Sequence, residues 1–337
     1  MSLGSEDAGA PPPGPRLGRP PGQPGGRSVS VVVCAYTERR WTDICRGVAA
    51  LQAQTRRPAE VLLVVDHAED LLQRARQAFP ELRVLPNTGP PGLSAARNTG
   101  IAAAHGEIVA FLDDDAAPAA DWLEHLLAPY ADPDVVAVGG AAIPAWPDTR
   151  PAWFPPEFDW VVGCSYRGLP PRRSEIRNVM GCNMSFRSDA LAGVHGFPVG
   201  IGRVGARPLG CEETELCIRI RQRHDGARII FEPAAVVRHR VTPERTRPTY
   251  FLSRCYAEGV SKALVARHVG SDDALRLERD YCLRTLPRGV LAGLRAAASG
   301  RRAGAAGLAR SGAILVGFAV TAAGYLATVI RSPRARV

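Results

Sequence analysis

Val109-Ala110-Phe111-Leu112-Asp113-Asp114-Asp115-Ala116-Ala117-Pro118 (VAFLDDDAAP) runs from a short apolar stretch straight into three adjacent carboxylates. Neighbouring negative charges repel one another and hold water tightly, so a folded chain gathers them at a strand end for a reason. Two readings fit the triplet taken alone. One is a solvated turn closed by Pro118. The other is a site for a hard divalent cation, whose demand for oxygen ligands turns the repulsion into attraction.

The flanking segments discriminate between them. Ser28–Tyr36 (SVSVVVCAY) is a β-branched run, and RRWTDICRGVAALQAQ after it carries apolar residues at helical spacing. AEVLLVVDH reads as a second buried strand, AEDLLQRARQAF as a helix, LRVLPN as a strand, GLSAARNTGIAAAHG as a glycine-bounded helix, and EIVAFL as the strand leading into the triplet. Strands that are apolar throughout and alternate with helices predict an α/β fold, with a mostly parallel sheet covered on both faces. Such sheets bind ligands at the carboxyl ends of their strands. Ala35, Tyr36, Asp66 and Asp113–Asp115 all stand at such ends, so the triplet lies where a ligand is expected.

Beyond Asp121 the alternation loosens. DWLEHLLAPYA reads as a helix, VVAVGGAAI as a strand, and Pro144–Gly163 as a loop rich in Trp and Pro. Within that loop Trp153, Phe154, Phe158 and Trp160 suit sugar stacking, a lipid groove or ordinary packing equally well. RNVMGCNMSFR reads as a strand, CEETELCIRIRQR as an amphipathic helix and ARIIFEPAAVVRHRV as a strand with a turn. Residues 244–310 read as a mainly helical, basic segment. Ser311–Ile330 is 20 residues without a charge, flanked by Arg310 and Arg331. A helix of that length covers the roughly 30 Å hydrocarbon core of a bilayer, although a buried helix fits its Ala and Gly content too. Residues 1–27, dominated by Pro and Gly, read as a disordered tail without the apolar stretch of a secretory signal.

Composition sets the outer bounds. The chain has 337 residues, 46% hydrophobic, enough for a sizeable core. The formal net charge of +9 comes almost wholly from arginine, since Lys262 is the only lysine. That balance suits phosphate-bearing substrates or an anionic membrane, and also the codon bias of a GC-rich genome. The charge is dispersed and no nucleic-acid module is recognisable, so no nucleic-acid partner is expected. Eight cysteines form no CxxC pair, which argues against a zinc or dithiol site and for a reducing compartment.

Taken in order, VVVCAYTERR, VLLVVDH, GLSAARNTGI, FLDDDAAP, GCNMSFR, CEETELCIRI and VVRHRV resemble the inverting family-2 glycosyltransferases of the GT-A fold, over Ser28–Val241. The resemblance implies a Rossmann-like GT-A domain over residues 28–243, a nucleotide-diphosphate sugar donor, and Mg²⁺ or Mn²⁺. Asp113 and Asp115, two apart and therefore on one side of an extended chain, would hold the cation. Asp114 would turn to the ribose or a backbone amide. His239 would complete the metal shell or touch the diphosphate, unless it is structural, and Arg240 is a phosphate partner by position. Ala35 and Tyr36 would line the nucleotide. Asp66 would accept from base or ribose, or cap the helix after it; His67 stands where the family carries Asp or a small polar group. Arg97 would reach a phosphate or nucleobase, or close a salt bridge at the sheet edge. Asn183 would line the donor-sugar side. Glu212 and Glu213 match the family's Glu-Asp pair, with Glu213, one methylene longer than Asp, as the general base. Their bland alternative is to complement the dipole of a helix start.

The combined expectation is a membrane-associated glycosyltransferase, its catalytic domain cytoplasmic, acting on a hydroxyl of a lipid-linked saccharide or cell-surface polysaccharide. A polyprenyl phosphate acceptor, itself a good nucleophile, would need no base. A nucleotidyltransferase would carry a glycine-rich basic loop after the first strand, which CAYTERRWT lacks. A non-catalytic sugar-nucleotide or glycan-binding membrane protein would bind donor without turnover.

Overall fold

The computed structural model of the chain describes residues 27–200, 202–203, 209–270, 280–298 and 301–331. The tail expected over 1–27 lies, apart from Arg27, outside the described residues.

Strand β1 (Val29–Ala35) shows why β-branched residues crowd the start of the domain. Val29, Val31 and Val33 feed the core on one face of the sheet, while Val32 feeds the core on the other. A strand buried on both faces is apolar at nearly every position. β2 (Glu60–Val65), β3 (Arg83–Pro86) and β4 (Ile108–Asp113) join it in the order β3-β2-β1-β4, all parallel. Helices α1 (Trp41–Gln52), α2 (Glu69–Ala78) and α3 (Leu93–Ala103) make the crossovers that parallel pairing requires.

The other half of the sheet is mixed rather than parallel. Its strands are β5 (Ala116–Pro118), β6 (Val135–Ala145), β7 (Ser174–Glu175), β8 (Asn183–Arg187) and β9 (Arg228–Arg240). β8 runs antiparallel to both β4 and β6, while β9 runs parallel to β6. Helix α4 (Trp122–Leu127) precedes β6, but only the Trp- and Pro-rich loop with a 3₁₀ segment, Pro156–Val162, joins β6 towards β8. Without a crossover helix, antiparallel pairing is the available solution. Helices α5 (Ser188–Gly193) and α6 (Glu212–Arg223) cover the Phe111–Phe186 face.

The β6–β9 ladder jumps from Gly140 opposite Glu232 to Ala141 opposite Val236, leaving a bulge in β9. Asn183 occupies that bulge. Its amide donates to Ala141 O (2.9 Å) and Ala235 O (2.8 Å), and its Oδ1 accepts from Trp122 Nε1 at 2.8 Å. The residue is fully buried and its side chain is committed to the sheet, which corrects its assignment to the donor sugar. Asn183→Ala orphans two carbonyls and an indole N–H, each at about 1–3 kcal/mol. A fall in the urea midpoint at unchanged slope is the expected result.

After β9 the chain forms α7 (Pro248–Val269), α8 (Leu286–Ala297) and one long helix, α9 (Arg301–Arg331), which packs along both α7 and α8. The apolar stretch expected over 311–330 is thus part of a helix that begins at Arg301. The four loop aromatics are chiefly packing: Phe154 and Phe158 are buried, with ring centroids 5.5 and 5.3 Å from Phe251 of α7.

Candidate active site

Asp113 ends β4, Asp114 and Asp115 form a turn, and the chain re-enters the sheet as β5. The triplet is therefore a turn between strands and not an extended segment. β5 pairs antiparallel with β9, placing Ala116 opposite His239, and the Arg240 N–H donates to Asp115 O at 2.9 Å. This short pairing brings a histidine more than a hundred residues away onto the carboxylates. One ligand atom each from Asp113, Asp115 and His239 lies within 4.8 Å of the others.

The cluster has distinct sides. His239 Nε2 is 3.1 Å from Asp115 Oδ1 and 4.0 Å from Asp113 Oδ2, while its Nδ1 faces Cys164 Sγ at 3.7 Å. Asp115 Oδ1 is buried with the His239 ring as its polar neighbour and no aligned hydrogen bond, an acceptor that a cation could take up. Asp115 Oδ2 faces Arg40 Nη2 at 3.2 Å and Arg245 Nη2 at 3.4 Å. Burial alone would raise the Asp115 carboxyl, but His239, Arg245 and Arg40 outweigh it and hold it far below the usual range. Burial likewise opposes the His239 imidazolium, yet Asp115 carries its pKa up to about 10. Gly163, at φ 80°, lets the loop pass the ring: a Cβ there would lie 3.0 Å from His239 Cε1.

Asp114 points away from the cluster and is ion-paired with Arg40, not directed to a ribose or an amide. Burial pushes its carboxyl up to about 7 against the pull of Arg40. Arg240, on the opposite face of β9 from His239, pairs with Asp43 and is not a pocket residue, so its phosphate role is withdrawn.

Arg97 is 2% exposed and spent on protein groups. Its Nη1 donates to Glu212 Oε1 at 2.7 Å, and its Nη2 to Gly181 O at 3.0 Å and Asp113 Oδ1 at 3.3 Å. It packs over the Phe197 ring. The salt-bridge reading prevails: Arg97 ties the Asp113 carboxylate at the end of β4 to the first turn of α6, which makes it a positioning residue. Cys211, before that turn, stands in the left-handed region at φ 69°, a cost of roughly 1–2 kcal/mol for a non-glycine residue. Glu212 and Glu213 both face the pocket. Glu212 Oε2 is buried with no hydrogen-bond partner. Burial, and then the negative charge of Glu212, push the Glu213 carboxyl up to about 8.

Asp66 accepts from Asn87 Nδ2 (2.6 Å) and the Gly92 N–H (2.9 Å), so it braces the loop before α3. It does not cap α2, whose N-cap residue is Ala68. Ala35 is buried at the end of β1, and Tyr36 is exposed with Arg40 over its ring. Sequence reading missed Arg40, Arg245 and Tyr250. Burial opposes ionisation of the Tyr250 phenol, but Arg245, Arg203 and Arg254 bring its pKa below the ordinary value, marking an electropositive wall. A pocket of about 730 Å³ joins that wall to Glu213 and the Asp113–Asp115–His239 cluster.

A parallel half-sheet, a carboxylate turn at the end of β4 and a raised-pKa carboxylate lining the same pocket fit the GT-A glycosyltransferase class. The comparisons agree. Residues 30–194 match the Glycosyl transferase family 2 domain. A glucosyl-dolichyl phosphate glucuronosyltransferase of Haloferax volcanii is 36% identical over 241 residues, 70% of this chain and 77% of that protein. The chain belongs to glycosyltransferase family 2 and is a glycosyltransferase. It is also 28% identical to a pre-mycofactocin glycosyltransferase of Mycobacterium tuberculosis, over 74% of this chain and 50% of the relative. A mannosyltransferase of Pyrobaculum calidifontis, solved with GDP-Man and Mn²⁺, shares the fold with a TM-score of 0.57, at 21% identity over 95% of this chain and 90% of that one.

Proposed function

We propose that this transferase moves a glycosyl group, with inversion, from a nucleotide-diphosphate sugar to a hydroxyl of a lipid-linked saccharide. The observation that carries the reading is that Glu213 and the Asp113–Asp115–His239 cluster line one pocket. Asp113, Asp115 and His239 would hold a divalent cation, which offsets the charge growing on the leaving nucleoside diphosphate. Two carboxylates and an imidazole favour Mn²⁺ over Mg²⁺, which prefers an all-oxygen, largely hydrated shell. Arg203 and Arg245 supply fixed positive charge beside the diphosphate.

The acceptor oxygen attacks the anomeric carbon opposite the diphosphate. Its proton passes to the Glu213 carboxylate as the carbon–oxygen bond to the diphosphate breaks, and the configuration inverts. A polyprenyl phosphate is already ionised and has no use for so basic a carboxylate; a hydroxyl does. The lipid-linked acceptor is supported by the Haloferax relative, a glucosyl-dolichyl phosphate glucuronosyltransferase. All eight cysteines are unpaired, which supports a cytoplasmic, reducing side for the catalytic domain.

The test is nucleoside-diphosphate release from a panel of sugar nucleotides with a lipid-linked monosaccharide, in Mn²⁺, Mg²⁺ or EDTA. Release with one donor, strongest in Mn²⁺ and abolished by EDTA, is expected. The absence of both donor binding and release across the whole panel would sink the reading.

A further inference from the structure

Helix α9 is built inside out. Gly304, Gly307, Ser311, Ile314, Gly317 and Gly324 form its buried stripe towards the protein. Its outer face carries Leu308, Leu315, Phe318, Leu326 and Ile330, from 47% to 74% exposed. A helix on a watered surface shows the reverse, large apolar residues inward and polar ones outward. Leu291 and Leu294 of α8, 50% and 47% exposed, add to the exposed apolar surface. Exposed apolar surface of this extent marks an interaction face. Its charged border identifies the occupant: Arg284, Arg288, Arg295 and Arg331 are all exposed, and described acidic residues of this region are confined to Asp280. Arginines at that position suit anionic headgroups, at about 1 kcal/mol each.

Length and hydropathy alone allow Gly304–Arg331 to cross a bilayer. The packing does not. The Gly304 position abuts Ala297 of α8, Gly317 abuts Phe158 and Phe251, Gly324 abuts the Tyr256 backbone, and Arg267 donates to Thr328 O at 2.6 Å. α9 is thus pinned to the catalytic domain along its length, and α7 beneath it packs on α6. Carrying α9 through the hydrocarbon would drag Arg254, Glu258, Lys262 and Arg267 of α7 to membrane depth, at roughly 2.5–3.5 kcal/mol for each such charge.

We propose that α8 and α9 form an in-plane membrane face, the apolar side of α9 sunk into the lipid interface, and that α9 does not span. Phe318, Tyr325 and Leu326 also line the pocket that holds Glu213 and Asp115, so the pocket opens at this face. A lipid-linked acceptor would then reach Glu213 from the interface; that consequence rests on the transferase reading, whereas the membrane face does not.

The test uses the full chain. It is expected to co-sediment with phosphatidylglycerol–phosphatidylcholine vesicles, and Leu308→Asp with Leu315→Asp, both outside the pocket lining, to weaken binding by at least about tenfold at an unchanged thermal midpoint. Ala298→Cys and Arg331→Cys bracket α9. In inside-out membrane vesicles from expressing cells, both are expected to show the same accessibility to a membrane-impermeant maleimide, read on each peptide by mass. If only one reacts before detergent is added, the helix spans and the in-plane placement is overturned. A chain that stays in the supernatant, or pairs through this face into a dimer that ignores vesicles, overturns the membrane face itself.

Discussion

Asp115→Asn is expected to lower donor turnover by about a thousandfold, equivalent to ~4 kcal/mol of transition-state stabilisation, and to abolish its response to Mn²⁺. The carboxylate is the hub of the site, with His239 3.1 Å from one oxygen and Arg40 and Arg245 3.2 and 3.4 Å from the other. The amide keeps the shape and removes the charge. Because it also leaves buried cations short of a partner, stability falls with it, by up to about 3–5 kcal/mol. Mn²⁺ titration calorimetry on protein that still melts cooperatively separates the two effects. Asp113→Asn is the control: Asp113 is 29% exposed and its cationic contacts are Arg97 and, at 4.0 Å, His239, so it should lose cation affinity at a smaller cost in stability. The pH dependence has a definite sign. His239, held up to about 10 by Asp115, must release its proton to become a ligand. Cation binding should therefore tighten as pH rises. Undiminished Mn²⁺-dependent turnover in Asp115→Asn would mean that Asp115 does not hold the cation.

The half of the fold that could be read from sequence is the half held by local pattern. β1 to β4 are β-branched runs separated by periodic helices, and both signals lie within a few residues. β5 and β7 are three and two residues long, too short for any periodicity to show. Yet β5 sets the site, because its pairing with β9 delivers His239. Asn183 was misplaced for a related reason. Likeness of motif gives a position in the chain, but the bulge that consumes its amide arises from a register shift between β6 and β9. Arg97 was visible as a cation on a helix, whereas its main partner, Glu212, lies 115 residues away. In α9 hydropathy showed an apolar helix and could not show which face was docked. The spacing of Gly304, Gly307 and Ser311, continued on the same side by Ile314 and Gly317, held that information, since small residues three or four positions apart allow close helix approach.

Glu213→Gln is expected to lower kcat with a hydroxyl acceptor by about 10²–10⁴-fold, the range for a positioned general base, while donor and cation binding persist. Only the carboxylate form of Glu213 can take the proton. With its pKa raised to about 8 by burial and by Glu212, the native rate should fall as pH drops below that value and level off above it. Glu212→Gln then gives a test that a purely structural role would not meet. It withdraws the neighbouring negative charge, so Glu213 ionises more readily and the acid limb of the profile moves to lower pH. Arg97, whose Nη1 bonds Glu212 Oε1 at 2.7 Å, would be left with more of its charge uncompensated, and its field acts on Glu213 in the same direction. A limb that stays in place in Glu212→Gln would mean that another group sets it. The choice of acceptor sharpens the result further. A phosphate nucleophile has no proton to surrender near neutral pH, so transfer to it should survive Glu213→Gln with little loss. If the two acceptor classes lost activity equally in Glu213→Gln, the residue would be acting on the donor or the fold and not as a base.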